Sequence, residues 1–297
     1  MTYTIASFYK FFPFPDCTDK QPLLFECCHN YHIKGTILLS LEGINGTIAG
    51  SSDNIQAIIN YLVADKRLAD LDVKYSTAFK IPFEKIKIRL KQEIVTLGKP
   101  DINPNKQVGT YVTPEEWNDL INDEETIVID TRNSYEVDIG TFKGAINPKT
   151  QSFREFPDYV KENLDPQKHK KIAMFCTGGI RCEKATSLLL NQGFDEVYHL
   201  KGGILKYLEK IPKKESLWEG ECFVFDERVA VKDQLETGSY QMCLGCGYPV
   251  SEMDKVSEKY EEGVSCPHCY DSLTPKKITK QREKQRQLRQ KNYHKYD

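Results

Sequence analysis

Ten cysteines stand in a chain of 297 residues, and two groups of them are spaced for chemistry. Cys176 opens the sequence Cys176-Thr177-Gly178-Gly179-Ile180-Arg181, after the apolar run 171–175 and before the apolar-periodic stretch 182–190. Such a succession of strand, loop and helix sets the thiol at a helix N-terminus, where loop N–H groups and the helix dipole favour negative charge. Cys176 is therefore expected as a thiolate of depressed pKa, the reactive form of the residue. Gly178 and Gly179 let the loop curl round the sulfur, and Arg181 adds a fixed cation. The resulting pocket would hold a persulfide or an oxyanion equally well. Cys182 could resolve a persulfide or sulfenic acid formed on Cys176, or it could simply pack against the sheet.

The second group is Cys243-Leu-Gly-Cys246 and Cys266-Pro-His-Cys269, two Cys-x-x-Cys pairs with nineteen residues between them. This is the spacing of a four-cysteine zinc ribbon, a closed and hence structural site that would hold together a segment too short for a core of its own. Four reduced cysteines that bind nothing, or a redox pair, are the alternatives, and His268 is expected to face solvent. Cys27 and Cys28, on an apolar helix with no further ligand spaced to join them, are expected to pack.

In the first 97 residues, strand signals at 5–11, on either side of a turn at 42–46, at 71–80 and at 85–96 alternate with helices at 22–31 and after Ser51-Ser52-Asp53. The order is close to βαββαβ, the ferredoxin-like arrangement. A turn-rich stretch, 98–107, reads as a linker. Beyond it, Thr113-Pro114-Glu115-Glu116 is a capping box that starts a helix, and three short apolar strands (126–130, 171–175, 197–200) separated by helices indicate a parallel α/β sheet. Ligands bind outside the carboxyl ends of such strands, which is where Cys176 falls.

The formal charge of −2 hides a polarised tail: from 275 to 297 nine Lys/Arg face two acids, a local +7 that leaves −9 on the rest. Lys276, Lys277, Arg282, Arg286 and Arg289 could bind RNA phosphates, with Tyr293 and Tyr296 stacking on unpaired bases, or the segment could be a solubilising tail. Lys85, Lys87 and Arg89 alternate along one strand and would share a face, either an RNA platform or a solvated surface. No signal peptide or bilayer-spanning apolar run is visible, so a cytoplasmic protein with no membrane partner is expected. In that reducing compartment clustered cysteines point to metal binding or catalysis rather than disulfides.

Asp130-Thr-Arg132, Glu136, the segment 140–148, the Cys176 loop and His199-Leu-Lys-Gly202-Gly203 together resemble a rhodanese domain over about residues 108–212. That resemblance implies a six-residue catalytic loop suited to sulfur, where the related phosphatases use seven residues, with Asp130, Arg132 and Glu136 as possible supports. Arg132 and Glu136 could pair at the rim of the site or form an ordinary surface ion pair. Over nearly the whole chain, the segments 41–50, 175–185 and 201–204 and the basic tail are similar to the rhodanese-containing tRNA uridine hydroxylases. This second resemblance implies oxygen-dependent conversion of the wobble uridine of certain tRNAs to 5-hydroxyuridine, with Cys176 as the persulfide-forming residue.

The expected architecture is a ferredoxin-like α+β domain (1–97), a linker (98–107), an α/β rhodanese domain with a parallel sheet (108–212), a cysteine-rich zinc element (213–274) and a basic tail (275–297). The expected function is that hydroxylation of tRNA, with structural zinc, O2 as co-substrate, no nucleotide cofactor and an unidentified reductant or sulfur donor. The alternatives are sulfur transfer from Cys176 persulfide to a thiol or RNA acceptor, and a zinc-stabilised RNA-binding protein without catalysis.

Overall fold

A computed structural model describes residues 2–293 and divides the chain into two compact units, Met1–Cys222 with Lys232–Glu236, and Phe223–Val231 with Thr237–Asp297. The first unit holds two sheets. Its N-terminal sheet is built from β1 (Tyr3–Phe11), β2 (Lys34–Ser40), β3 (Gly43–Gly50), β4 (Val73–Ala78) and β5 (Ile86–Leu90), in the order β4-β1-β3-β2-β5. Helices α1 (Cys17–Asn30) and α2 (Ser52–Val63) fall between β1 and β2 and between β3 and β4. The expected βαββαβ order is thus present, with β5 added parallel to β2.

Helix α2 forms where Ser51 accepts a hydrogen bond from the Asn54 N–H and Ile55, Ile58, Ile59 and Leu62 share one buried face. Two local differences from the sequence reading have physical causes. Helix α1 begins five residues before Pro22, because the Asp16 carbonyl already accepts from Asp19 and Lys20, so the proline forfeits one bond inside the helix rather than starting it. The turn read at 42–46 is confined to Leu41 and Glu42, and Gly43 opens a strand. A Cβ at Gly43, whose φ is +145°, would stand 2.0 Å from the Lys10 carbonyl, so only glycine lets β3 close onto β1 there.

The second sheet follows from β6 (Thr110–Val112), α3 (Pro114–Asn122), β7 (Thr126–Asp130), α4 (Ser134–Val137), β8 (Gly140–Phe142), α5 (Phe156–Asn163), β9 (Lys171–Phe175), α6 (Ile180–Asn191), β10 (Glu196–Leu200), α7 (Gly203–Lys210) and β11 (Trp218–Gly220). Strands β6-β10-β9-β7 lie side by side and all parallel; β7, β9 and β10 are the three apolar runs expected, and β6 is an edge strand that the sequence reading did not include. The capping box at Thr113 and Glu116 starts α3 as expected.

Two stretches differ from the expected boundaries. Leu97 and Ile102, inside or beside the stretch read as a linker, are buried in the same core as Ile129, Phe156 and Met174. The apolar side chains anchor a segment whose turn formers had suggested a free connection. Residues 213–222 lie in the first unit, not in the cysteine-rich element. There β11 pairs antiparallel with β8, and Trp218 packs edge-on against Phe142 at 5.2 Å.

In the second unit, a two-stranded ribbon (Gln241–Met242 with Pro249–Val250) and a short helix α8 (Glu252–Lys255) surround the cysteines, and α9 (Pro275–Tyr293) carries the basic sequence. Among the described residues, buried apolar side chains are few there. Val250 clusters with Cys243, Cys266 and Cys269 under partly buried Tyr248, Tyr260 and Leu273.

Candidate functional site

Strand β9 ends at Phe175 and α6 begins at Ile180, so Cys176 lies at the carboxyl end of a central strand, wholly buried at 1% exposure. Gly179 adopts φ +101°, which turns its N–H back toward the sulfur, and that N–H donates to Cys176 Sγ at 3.1 Å. Burial opposes a charge on Cys176. A hydrogen bond from the Cys182 thiol, the Arg181 guanidinium and the backbone N–H groups of Cys182 and Arg181 outweigh it and bring the thiol down to about 6. Cys182 moves the other way, pushed well up by burial and by the charge on Cys176, so it stays a thiol and donates. The Thr131 hydroxyl lies 3.7 Å from Cys182 Sγ and donates to the Phe175 carbonyl at 3.0 Å.

A thiolate that forms near pH 6 sets a pH profile. Because only the thiolate alkylates, the rate of iodoacetamide capture at Cys176 should rise with pH, pass its midpoint near 6 and be flat above about pH 7.5. Peptide mass spectrometry of quenched samples reads it, and a midpoint near an ordinary thiol value would contradict the loop chemistry.

The loop is braced from two sides. The turn Gly202-Gly203 presses against it: Ile204 N–H donates to the Cys176 carbonyl and Leu205 N–H to the Thr177 carbonyl, each at 3.0 Å. A Cβ at Gly203 would come within 2.5 Å of the Cys176 carbonyl and 2.7 Å of the Gly179 nitrogen, which explains the paired glycines. On the other side Arg181 forms a bidentate pair with Glu136, both bonds 2.7 Å and both side chains buried. Thr177 sits 3.4 Å from both Arg181 and Glu136, closing the cluster.

The pairing of Arg132 with Glu136 suggested by the sequence is not what forms. Arg132 instead pairs with Asp130, at 2.8 Å from Nε and 2.5 Å from Nη2, and its Nη2 donates to the Gly140 carbonyl at 2.6 Å. The two residues are wholly buried, and Thr141 donates to Asp130 at 2.9 Å. Arg132 reaches only the main-chain oxygen of Glu136, at 3.3 Å, because the Glu136 carboxylate is committed to Arg181. Gly178 and Ile180 complete the loop and the start of α6, and a Cβ at Gly178 would meet nothing within 4 Å.

Residues beside the N-terminal sheet, in the β2–β3 turn and just after β5, also reach α6, and the sequence reading did not single them out. Lys184, wholly buried, bonds Glu93 at 2.5 Å and Glu42 at 2.8 Å. Glu42 also accepts from the Ile94 N–H at 2.7 Å, and Asn45 donates to the Ile94 carbonyl at 2.9 Å. The segment 41–50 thus docks the helix that follows Cys176. Its only signal in the sequence was a cluster of charged residues in 181–184, inside a stretch otherwise apolar enough to be buried.

Of the proposed RNA contacts, Lys87 and Arg89 stand exposed on β5, and Lys85 stands exposed just before it. Lys276, Lys277, Arg282 and Arg286 are on α9, where Arg282 pairs with Glu261 and Arg286 with Glu283. The side chains of Arg289, Tyr293 and Tyr296 lie outside the described residues. Cys28 is buried and pushed up to about 12 by burial and by Cys27, as suits a packing role.

The sulfur atoms of Cys243, Cys246, Cys266 and Cys269 lie within 4.8 Å of one another, with Cys246 to Cys266 at 3.7 Å and Cys266 to Cys269 at 3.8 Å. Zinc–sulfur bonds of about 2.3 Å at tetrahedral angles put sulfurs about 3.8 Å apart, so the donor set fits that ion. Gly247, at φ +83°, lets its N–H donate to the Cys243 carbonyl and folds the first knuckle. His268 is exposed, as expected, and stacks on Tyr248 at 3.7 Å between ring centres.

Residues 3–94 match a family described as the UPF0176 acylphosphatase like domain, and residues 113–210 match the rhodanese-like domain. A protein of Picosynechococcus sp. named tRNA uridine(34) hydroxylase is 62% identical over 288 residues, 97% of each chain. Among solved structures, a rhodanese-like domain of an Anabaena protein is 18% identical, covering 38% of this chain and 80% of its own, with TM-score 0.31. A protein of Bacillus halodurans is 26% identical, covering 39% of this chain and 80% of its own, with TM-score 0.28.

Proposed function

Because the chain belongs to the family of tRNA uridine(34) hydroxylases, we propose that it hydroxylates the wobble uridine of tRNA at C5, with Cys176 carrying a persulfide during turnover. The reaction inserts one atom of O2 at C5 and releases the other as water, which takes two electrons and two protons from a reductant. Its class is therefore oxidoreductase, and a tRNA substrate argues for the cytoplasm. The observation that carries the reading is the placement of Cys176 at the carboxyl end of β9, its sulfur accepting from the Gly179 N–H, with the Cys182 thiol and Arg181 beside it to favour the thiolate, in a protein 62% identical along its length to a named hydroxylase. A thiolate is the form that attacks the outer sulfur of a persulfide donor, breaking the donor's S–S bond, keeping that sulfur and releasing the donor's thiol. Arg181, locked by Glu136, holds its positive charge beside that sulfur through the cycle.

Nucleosides from tRNA of cells lacking the protein, compared with cells given it back, test this. 5-Hydroxyuridine and its derivatives should vanish and return. Their persistence, with loss of a thiolated nucleoside instead, would replace hydroxylation by sulfur transfer.

Support for RNA binding comes from the exposed cations of α9 and β5. The slope of tRNA affinity against salt should become shallower when Lys276, Lys277, Arg282 and Arg286 are neutralised together, by about one unit for each phosphate that these cations had neutralised. An unchanged slope would make the helix a solubilising element.

Cys243, Cys246, Cys266 and Cys269 would hold zinc, which fills all four positions with protein ligands and so acts by tying the second unit together. Cys266→Ser, or treatment with a chelator, should release one zinc per chain and expose residues 237–272 to proteases, since structural zinc supplies about 10 to 16 kcal/mol in such elements. Unchanged protease resistance after complete zinc removal would show that the unit holds without metal.

A further inference from the structure

Helix α6 carries a buried carboxyl that the chemistry above does not use. Glu183, 6% exposed, accepts a hydrogen bond from Tyr9 at 2.9 Å and another from Tyr111 at 2.7 Å. The two tyrosines come from different sheets, Tyr9 from β1 of the N-terminal sheet and Tyr111 from β6 of the sheet that holds the Cys176 strand. Tyr9 is not only a partner of Glu183. A Cβ built at Gly179 would stand 2.8 Å from its hydroxyl oxygen, so Tyr9 touches the loop whose Gly179 N–H holds the Cys176 sulfur. Lys74 of β4 covers the Tyr9 ring, its ammonium 5.3 Å from the centre, and lies beside Gly202 in the turn that backs the loop. A chain of contacts therefore runs from the N-terminal sheet through Tyr9 to the reactive sulfur, with Glu183 as its anchor.

We propose that Glu183 is a positioning residue for the sulfur chemistry of Cys176: it fixes the Tyr9 hydroxyl against the Gly179 turn, so that the N-terminal sheet completes the active site. This deepens the proposed function but rests, for its first readout, only on the reactivity of Cys176. The reason a carboxylate serves is that it is an acceptor alone, so both tyrosines must donate to it and neither hydroxyl is free to rotate. The groups that face it are Tyr9, Tyr111, the Lys74 ammonium and, from the loop, Cys176 itself. Burial pushes Glu183 up and pushes Tyr9 well up, so Tyr9 stays protonated and donating through the working pH range. A negative charge on Glu183 opposes one on Cys176, so the same residue that orders the loop also restrains the thiolate.

The test uses the full chain and three variants, Glu183→Gln, Tyr9→Phe and Tyr111→Phe, with Cys176 alkylation measured against pH. Glu183→Gln removes a negative charge near Cys176, so its alkylation midpoint should fall below the wild-type value. Tyr9→Phe should lower the rate of 5-hydroxyuridine formation about tenfold, the effect of one hydrogen bond to a charged group, with the KM for tRNA little changed. Tyr111→Phe removes an equivalent hydrogen bond without touching the loop, and its effect on rate should be clearly smaller. If Glu183→Gln leaves the alkylation profile unchanged, or if the two Phe variants lose rate equally and in proportion to their melting temperatures, the role is structural and the proposal fails. If no hydroxylated nucleoside forms even with wild type, the alkylation profile still decides the role of Glu183, and only the assignment of the reaction is lost.

Discussion

Cys176→Ser should abolish formation of 5-hydroxyuridine, by at least a thousandfold or about 4 kcal/mol of transition-state stabilisation, while the protein folds and melts as wild type. Serine fits the same space, but its hydroxyl does not ionise near neutral pH and cannot carry a second sulfur. The loop that receives it is fixed by contacts that do not involve the sulfur, those of Gly203, Ile204 and Leu205 with the loop main chain. Cys182→Ser is the matched comparison. The Cys182 thiol donates to Cys176 and is itself held protonated, and a serine hydroxyl can still donate, so a loss of about tenfold or less is expected. Quantitative nucleoside mass spectrometry after reaction with each variant reads both. A larger loss at Cys182 than at Cys176 would reverse the assignment of the sulfur carrier.

The largest effect on stability is expected at Glu136. Glu136→Ala strips the buried Arg181 of the carboxylate that grips it bidentately, and an uncompensated buried charge of this kind costs about 3 to 5 kcal/mol. For a unit of this size that is a fall in melting temperature of roughly 10 °C. Pairing it with Arg181→Met should recover part of the loss, because the orphaned charge is then gone. The pH dependence carries a sign. Burial works to raise the Glu136 carboxyl, but Arg181 outweighs it and holds the group below its ordinary value. Its contribution to stability is thus present above the ordinary carboxylate range and lost as pH falls through the depressed folded value. The wild type should lose stability on acidification more steeply than Glu136→Ala. Equal acid profiles would mean that the pair adds nothing to folding.

Much of this site could be read from residue order because the relevant signals are local. A strand, two glycines and a helix place Cys176 without knowledge of any distant contact, and four cysteines in two knuckles carry their own geometry. What stayed hidden depends on which elements meet. The sequence could not distinguish Glu136 paired with Arg132 from Glu136 paired with Arg181, since both arginines are within reach of a loop whose path was unknown. It showed Glu42 and Asn45 as turn residues, whereas they hold residue 94, and Glu42 and the neighbouring Glu93 both pair with Lys184 of α6. By residue type alone, Glu183 and Lys184 belong in water. Both are buried because the N-terminal region supplies Tyr9, Glu42 and Glu93 as partners, and periodicity within one helix records nothing about partners 90 or more residues away.

Reaction of the purified protein with unmodified tRNA under oxygen-18 gas, with a thiol reductant and a persulfide donor supplied, tests whether the inserted oxygen comes from O2. Digestion to nucleosides and mass spectrometry should show the wobble uridine heavier by one oxygen-18 atom, with wild type and not with Cys176→Ser. A product carrying oxygen from water, or sulfur in place of oxygen, would contradict an oxygen-dependent hydroxylation built on Cys176.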